Sequence, residues 1–288
     1  MPESDFIFMQ SSFTFGHNKD LLPSKVEFHL HDRYEIYFFV SGKVKYFVEK
    51  TIYSLDEGDL LVMNSREIHK PTFTDNSPYE RYTIHFHPSV ISSLSNNNFN
   101  LLKCFENRTP GENNKILLNL DQRKELVELL NKIEHITADR PEFYNVLFLC
   151  YLTEILVLLN TAFTMDNSQK YSVLVPNRLS PILDYIDMNI DGDLSLDTLE
   201  AKFFINKFYL CRLFKSLTRS SIHEYILYKR VSRAKVLLAD GASVTEACIR
   251  SGFGDYSNFI RTFKKTVGKT PSQFAKSQVY DYYSKKKL

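Results

Sequence analysis

Residues 204–225 and 253–274 carry one pattern twice, 49 positions apart. Phe204, Arg212, Phe214 and Lys215 recur as Phe253, Arg261, Phe263 and Lys264. Related residues flank these identities: Asn206 against Asp255, Leu210 against Phe259, Ser221 against Thr270, Tyr225 against Phe274. A pattern present only twice cannot stack into a solenoid, which requires three or more units. It predicts two supersecondary units instead, each a short helix, a turn and a second helix that offers side chains to base edges.

The helical period sorts those side chains. In the first copy Leu210, Leu213, Phe214 and Leu217 share one face, opposite Phe208, Cys211, Arg212 and Lys215. In the second, Phe259, Phe263 and Val267 turn inward, and Ser257, Arg261 and Lys264 form the outer stripe. A guanidinium fork can take both major-groove acceptors of guanine. One exposed Arg on a helix is ordinary surface, but the same Arg-x-Phe-Lys tetrad twice in register is not. Between the copies, Ser221 to Ala239 reads as one helix of about 19 residues, so about 28 Å long. Successive major grooves on one face of B-DNA lie about 34 Å apart, so a rigid spacer of that length suits two reading helices in adjacent grooves of double-stranded DNA.

Charge follows the same division. From Asn177 onward there are 19 Lys and Arg against 11 Asp and Glu, a net +8, whereas residues 1–176 sum to −6. A basic module joined to an acidic remainder suits a polyanion partner. Cys104, Cys150, Cys211 and Cys248 are scattered and form no CxxC pair, which predicts reduced thiols and a cytoplasmic protein. Pro2, Glu3, Ser4 and Asp5 are not a basic leader. The apolar stretch Val146–Phe163 contains Glu154 and Asn160, so a buried or dimer-forming helix is expected there and no membrane span.

Upstream, short runs of alternating apolar and polar residues (Glu35–Val40, Lys43–Val48, Asp59–Met63, Arg81–His87) are separated by turn signals such as Ser41-Gly42 and Asp56-Glu57-Gly58. They predict an antiparallel barrel or sandwich over residues 6–88. Residues 93–119, with Asn96-Asn97-Asn98, read as an irregular connection. Leu126, Leu129, Leu130 and Ile133 then form a helical stripe, and Pro141 opens a second, broadly apolar helix. This pair either covers the barrel or joins two subunits, and a homodimer is the expectation.

Residues 178–276 resemble the DNA-binding domain of AraC/XylS transcription regulators, most specifically through Ser251-Gly252-Phe253-Gly254-Asp255-Tyr256-Ser257-Asn258-Phe259, Arg261-Thr262-Phe263-Lys264-Lys265 and Gly268-Lys269-Thr270-Pro271. The resemblance implies that Phe208, Cys211, Arg212, Tyr256, Ser257, Asn258 and Arg261 read bases, with Asn206, Lys215 and Lys264 near phosphates. The first copy departs from the pattern: Glu200 stands where a small Ala is usual, which is expected to crowd that unit, and Arg219 where Gly is usual.

His29-x-His31-x3-Glu35-x6-Gly42 has the spacing of a first cupin motif, and Gly58, Asn64, Arg66 and His69 follow the second loosely; Pro23 stands where the first opens with Gly. The N-terminal part therefore resembles the cupin-type sensor of many such regulators. His29, His31, Glu35, Tyr37, His69, Arg81 and His85 are its candidate effector-binding residues, with Tyr34, Phe39 and Tyr46 as further aromatics and His87 on the parity of Arg81 and His85. His29, His31, Glu35 and His69 have ligand types that suit a divalent metal, yet the same groups hydrogen-bond a sugar or small acid equally well. The expectation is no cofactor and no catalytic residue.

The whole chain thus reads as β then α. A cupin-like barrel occupies 1–119, a helical cover or dimerisation pair 120–163, a linker 164–177, an all-α double helix-turn-helix domain 178–276, and a tail 277–288. The resemblance implies an activator that responds to a small molecule, with sugar metabolism and RNA polymerase as its context. A metal-dependent cupin enzyme carrying a DNA-binding module, and an architectural DNA-binding protein without effector, are the alternatives.

Overall fold

The computed structural model describes residues 13–22, 26–92, 94–95, 99–165, 173–176 and 178–277. Pro23, Asn96-Asn97-Asn98, most of the expected linker and the tail beyond 277 lie outside the described residues.

Among the described residues seven strands come first: β1 (Phe13–Asp20), β2 (Tyr34–Ser41), β3 (Val44–Val48), β4 (Thr51–Ser54), β5 (Leu60–Met63), β6 (His69–Phe73) and β7 (Tyr79–Phe86). Two short helices, α1 (Pro88–Ser92) and α2 (Lys103–Glu106), lead to β8 (Lys115–Ile116) and the long helices α3 (Leu120–Asp139) and α4 (Tyr144–Met165). The strands form two antiparallel sheets, ordered β1-β7-β2-β5-β8 and β6-β3-β4-β9, where β9 is Val173–Leu174. The hydrogen-bonded ladders do not run from one sheet into the other, so the expected barrel is a two-sheet sandwich among the described residues. Part of the expected linker is this ninth strand, paired with Thr51 and Ile52.

Strand alternation sets the layers. On β2, Tyr34, Ile36 and Phe38 face α3 and α4, together with Leu60, Val62, Tyr82, Ile84 and Phe86 from neighbouring strands. The intervening Tyr37 and Phe39 face the sandwich interior, where they meet Tyr46, Tyr53, Leu61, Met63 and Tyr79. A strand buried on both faces loses its polar positions, which is why β2 reads almost continuously apolar. Leu126, Leu129, Leu130 and Ile133 are all buried, so the inner side of the helical pair covers the sheet. Helix α4 is long and apolar enough to cross a membrane by length and composition, but its Phe148, Leu152, Ile155, Leu156 and Leu159 are buried on this sheet.

The C-terminal part is helical: α5 (Ser180–Met188), α6 (Leu196–Phe203), α7 (Lys207–Thr218), α8 (Ile222–Ala239), α9 (Val244–Arg250), α10 (Tyr256–Val267) and α11 (residues 271–277). Side chains cap these helices. Ser221 with Glu224, and Ser243 with Glu246, form capping boxes; Asn206 and Asp255 cap α7 and α10, and Thr270 accepts from the Gln273 amide. One apolar core joins this module to the outer face of the second sheet. Phe28, Phe47, Ile52 and Ile68 belong to the same cluster as Leu210, Phe214, Tyr225 and Phe263.

Candidate sensor cavity and nucleic-acid interface

Helix α7 buries Leu210 and Phe214, and α10 buries Phe259 and Phe263. Opposite them, Asn206, Phe208, Arg212 and Lys215 are exposed and Cys211 is half-buried; Tyr256, Ser257, Arg261 and Lys264 are exposed and Asn258 is half-buried. Arg261 donates to Asn258 Oδ1 at 3.2 Å, which holds the guanidinium along the helix face. The spacer α8 has 18 residues, so about 27 Å at 1.5 Å per residue.

The repeat is out of structural register in its turns. Phe204 and Phe253 align in sequence, yet Phe204 is 96% exposed and Phe253 only 5%. Phe204 adopts φ 50°, a left-handed conformation that its counterpart fills with Gly252 at φ 83°. A Cβ on Gly252 would sit 2.2 Å from the Ile190 carbonyl, so glycine is required there. The residue that fills the role of Phe253 is Ile205, packed on the shared core, and the second turn holds one additional residue, Gly254. Glu200 does not crowd the first unit: its carboxylate accepts from the Lys207 amide at 3.1 Å and adds to the cap of α7. Arg219 ends α7 at φ 56° with its side chain in solvent.

The sandwich interior encloses a cavity of about 370 Å³. His29, Glu35, Tyr37, Arg81 and His85 line it, and His31 and His69 lie against Glu35, so the seven candidate effector residues converge on one place. Tyr46 also lines it, whereas Tyr34 faces the helices and donates to Glu106, and Phe39 packs in the interior core. His87 lies at the end of β7 against Ser89. Asn64 and Arg66 serve a turn, where Asn64 accepts from the Arg66 amide. Sequence reading missed Asn18, Asp20, Tyr79 and Thr83, which reach the cavity only because β1 and β7 pair antiparallel over eight residues. Arg81 donates to Asp20 at 2.6 Å and lies over the Tyr79 ring, and the Tyr37 and Tyr79 hydroxyls are 2.5 Å apart.

Glu35 is the centre of the polar group. Burial alone would raise its carboxyl, but His85, His31 and His69 hold it well below the ordinary value. Burial pulls His31 down despite that carboxylate, whereas His69, bonded to both Glu35 and the Glu67 carbonyl, is raised. Burial and the His69 ring together push His29 to about 4, so it is neutral.

The segments that carry these histidines are gripped from the spacer helix. Lys235 on α8 donates to the His31 carbonyl at 2.8 Å and to the Ser65 carbonyl at 2.9 Å, and Ser232 donates to the Arg66 carbonyl. Burial lowers the Lys235 ammonium to about 8. Lys229 pairs with Glu49 at 2.7 Å and with Asp187 at 2.9 Å.

Residues 199–277 match the profile of a helix-turn-helix domain, and residues 21–133 that of an AraC-like ligand binding domain. The Msm operon regulatory protein of Streptococcus mutans is 23% identical over 251 residues, covering 86% of this chain and 85% of that protein. The right origin-binding protein of Escherichia coli is 32% identical over 97 residues, 33% of this chain and 34% of its own length. A crystal structure of ToxT from Vibrio cholerae aligns over 92% of this chain and 97% of that one, at 14% identity and a TM-score of 0.37. With a ligand-binding domain in front and a helix-turn-helix domain behind, this chain belongs to the AraC/XylS family of DNA-binding transcription regulators.

Proposed function

We propose that this protein is a ligand-responsive activator that binds DNA through α7 and α10 together and acts as a homodimer. The observation that carries the reading is the paired outward presentation of Arg212 and Arg261 on two helices fixed in one core with α8. Phe208, Cys211 and Arg212, with Tyr256, Ser257, Asn258 and Arg261, read base edges; Asn206, Lys215 and Lys264 meet phosphates. The cavity takes a sugar or similar polyol. Tyr37, Tyr46 and Tyr79 supply flat apolar walls, and Asn18, Asp20, Arg81 and Thr83 supply partners for hydroxyls. Ligand shifts the protein between domain arrangements only if it binds them unequally, and the Lys235 grip on the cavity's own segments supplies the route. The regulated operon contains the genes for handling that small molecule and engages RNA polymerase at its promoter. Genome-wide mapping of bound sites tests this, because the neighbouring genes name the pathway.

Replacement of Arg261 by Ala is expected to weaken binding to the native operator by roughly 1–3 kcal/mol with unchanged thermal stability, since the side chain is exposed. A gel-shift titration checks it. Unchanged operator affinity would remove α10 from the interface.

Dimerisation is assigned to the outer face of α4. Phe143 just before it, and Val146, Cys150 and Val157 along it, are exposed at steps of three, four and seven, the spacing of a helix–helix seam. Val146→Glu with Val157→Glu is expected to convert a dimer into a monomer in sedimentation runs while the melting temperature holds. A wild-type chain that sediments as a monomer at micromolar concentration defeats the assignment.

A further inference from the structure

The outward stripe of α7 does not stop where the helix does. Phe208, Arg212, Lys215 and Arg219 are all exposed and follow one another at steps of four, three and four, the spacing of a single helix face. The last two line a groove of about 550 Å³ whose other wall belongs to the sensor sandwich. Thr72 near the end of β6 lines it, as do Thr74, Asp75 and Asn76 in the turn that follows. The two walls are fixed to each other. Lys70 on β6 donates to the Oγ of Ser220, the residue after Arg219, at 2.8 Å, and the Phe47 ring meets that of Phe214 edge-on at 6.4 Å between centres.

Charge and hydrogen-bonding capacity in this groove suit a polyanion. Lys215 and Arg219 stand on one side. On the other, Lys45 of β3 pairs with Thr72 and is exposed on the same outer face, because cross-strand partners share a side. Lys70 is buried behind them. Asp75 is the only acid lining the groove among the described residues, and it is engaged by Lys43 at 3.4 Å and by the amide and hydroxyl of Ser77. Thr72 gives a second, independent sign. Its hydroxyl is buried with no hydrogen-bond partner among the described residues, and a phosphate oxygen is an acceptor for it. Arg219 gives a third. It holds φ 56°, a conformation that glycine adopts at no steric cost, so what arginine supplies at this position is its side chain. The groove is open towards solvent, with Thr74, Asp75, Asn76, Lys215 and Arg219 all exposed. That openness suits a duplex, whose strands each present a charge about every 3.4 Å of axis.

We propose that the groove between β6 and the C-terminal end of α7 seats the DNA backbone beside the first reading helix, so that the sensor sandwich itself touches the operator. Lys215 and Arg219 meet phosphate oxygens from one wall, and Lys45, Thr74 and Asn76 from the other. This deepens the DNA-binding reading and rests on it, since α7 must enter a major groove for the backbone to arrive there. Regulation follows from the same wall. Val26, Pro71 and Phe73 line both this groove and the sensor cavity, and β6 is at the edge of its sheet. One thin wall therefore separates a bound small molecule from the DNA backbone. A ligand that displaces β6 changes the contact without any rotation of one domain against the other.

The test uses the full chain and a duplex from a bound genomic site, titrated at several salt concentrations. Lys45→Gln and Arg219→Gln should each weaken binding to this duplex and to unrelated ones alike. Each should also lower the slope of log affinity against log salt by about one, the loss of one phosphate contact. Lys124→Gln, on α3 against the other sheet, controls for net charge and should leave the slope unchanged. All three side chains are exposed, so melting temperatures should match that of the wild type. A photo-crosslinking amino acid in place of Thr74 should couple to the strand that borders the first unit's site. Absence of that crosslink, or an unchanged slope in Lys45→Gln, overturns the proposal. So does inorganic phosphate that raises the melting temperature of the wild type but not of Arg219→Gln while the Lys45→Gln slope stays at the wild-type value, which makes the groove a small-anion site. Arg261→Ala is titrated beside them. Binding lost there and untouched in Lys45→Gln removes the sandwich from the interface and leaves the regulator, whereas unchanged binding in Arg261→Ala, Arg219→Gln and Lys45→Gln alike undoes the DNA-binding reading itself.

Discussion

Arg108→Ala is expected to destabilise the N-terminal sandwich by about 3–5 kcal/mol. Arg108 forms a two-pronged pair with Glu67, at 2.6 and 2.5 Å, with both side chains shielded from solvent. It also donates to the Cys104 and Val62 carbonyls and thereby ties α2 to β5. Removing the guanidinium leaves a carboxylate buried without its cation, which is the costly way to break such a pair. The pH dependence has a definite sign. Burial would raise the Glu67 carboxyl, but Arg108 and the amides of Asn64 and Gly111 bring it below the ordinary 4.5. A lowered carboxyl contributes stability that is complete above its unfolded value and is lost as pH falls through the folded one. The gap between wild type and Arg108→Ala should therefore be full at pH 7 and narrow as pH drops below about 4.5. Urea unfolding of both proteins across that range checks it; a gap independent of pH would mean that Arg108 acts through packing alone.

Phe259→Ala is the second large effect, at about 3–5 kcal/mol for an aromatic ring lost from a full core. Phe259 is completely buried and meets Phe253 at 5.1 Å and Phe263 at 5.7 Å between ring centres. These rings hold α10 in place, so the variant should lose operator binding together with the stability of the second unit. It differs from Arg261→Ala, which should lose binding alone. Measured together by calorimetry and gel shift, the two variants separate the platform of the helix from its reading edge. Intact DNA binding in Phe259→Ala would show that α10 is held by something other than this cluster.

Much of this architecture is legible in the residues because it depends on local periods. The stripe from Leu126 to Ile133, the caps at Asn206, Ser221, Ser243 and Asp255, and the split of α10 into Phe259 and Phe263 inside and Arg261 and Lys264 outside all follow from helix geometry and short polar side chains. The candidate cavity was half-legible. His31 and Glu35 are near neighbours, but His85 and Thr83 join them only through strand pairing, and pairing partners carry no local mark. The same reason hides Arg108 from Glu67, 41 residues away. The repeat conceals one thing: an identical Phe in both copies hides the additional Gly254, although Phe204 is exposed and Phe253 buried. Phe47 is the other instructive case. Alternation says that it faces away from Tyr46, but not that the opposite side would be covered by another part of the chain.

That covering has a bearing on how the two halves can be separated. Phe28, Phe47, Ile52 and Ile68 are walled in by Phe214, Tyr225 and their neighbours, so cutting the chain after the sandwich would strip an oily wall from both fragments. Each piece would then expose its side of that apolar seam to water. Any signal that parts them must first wet that seam, which makes the seam itself the threshold a messenger molecule has to overcome.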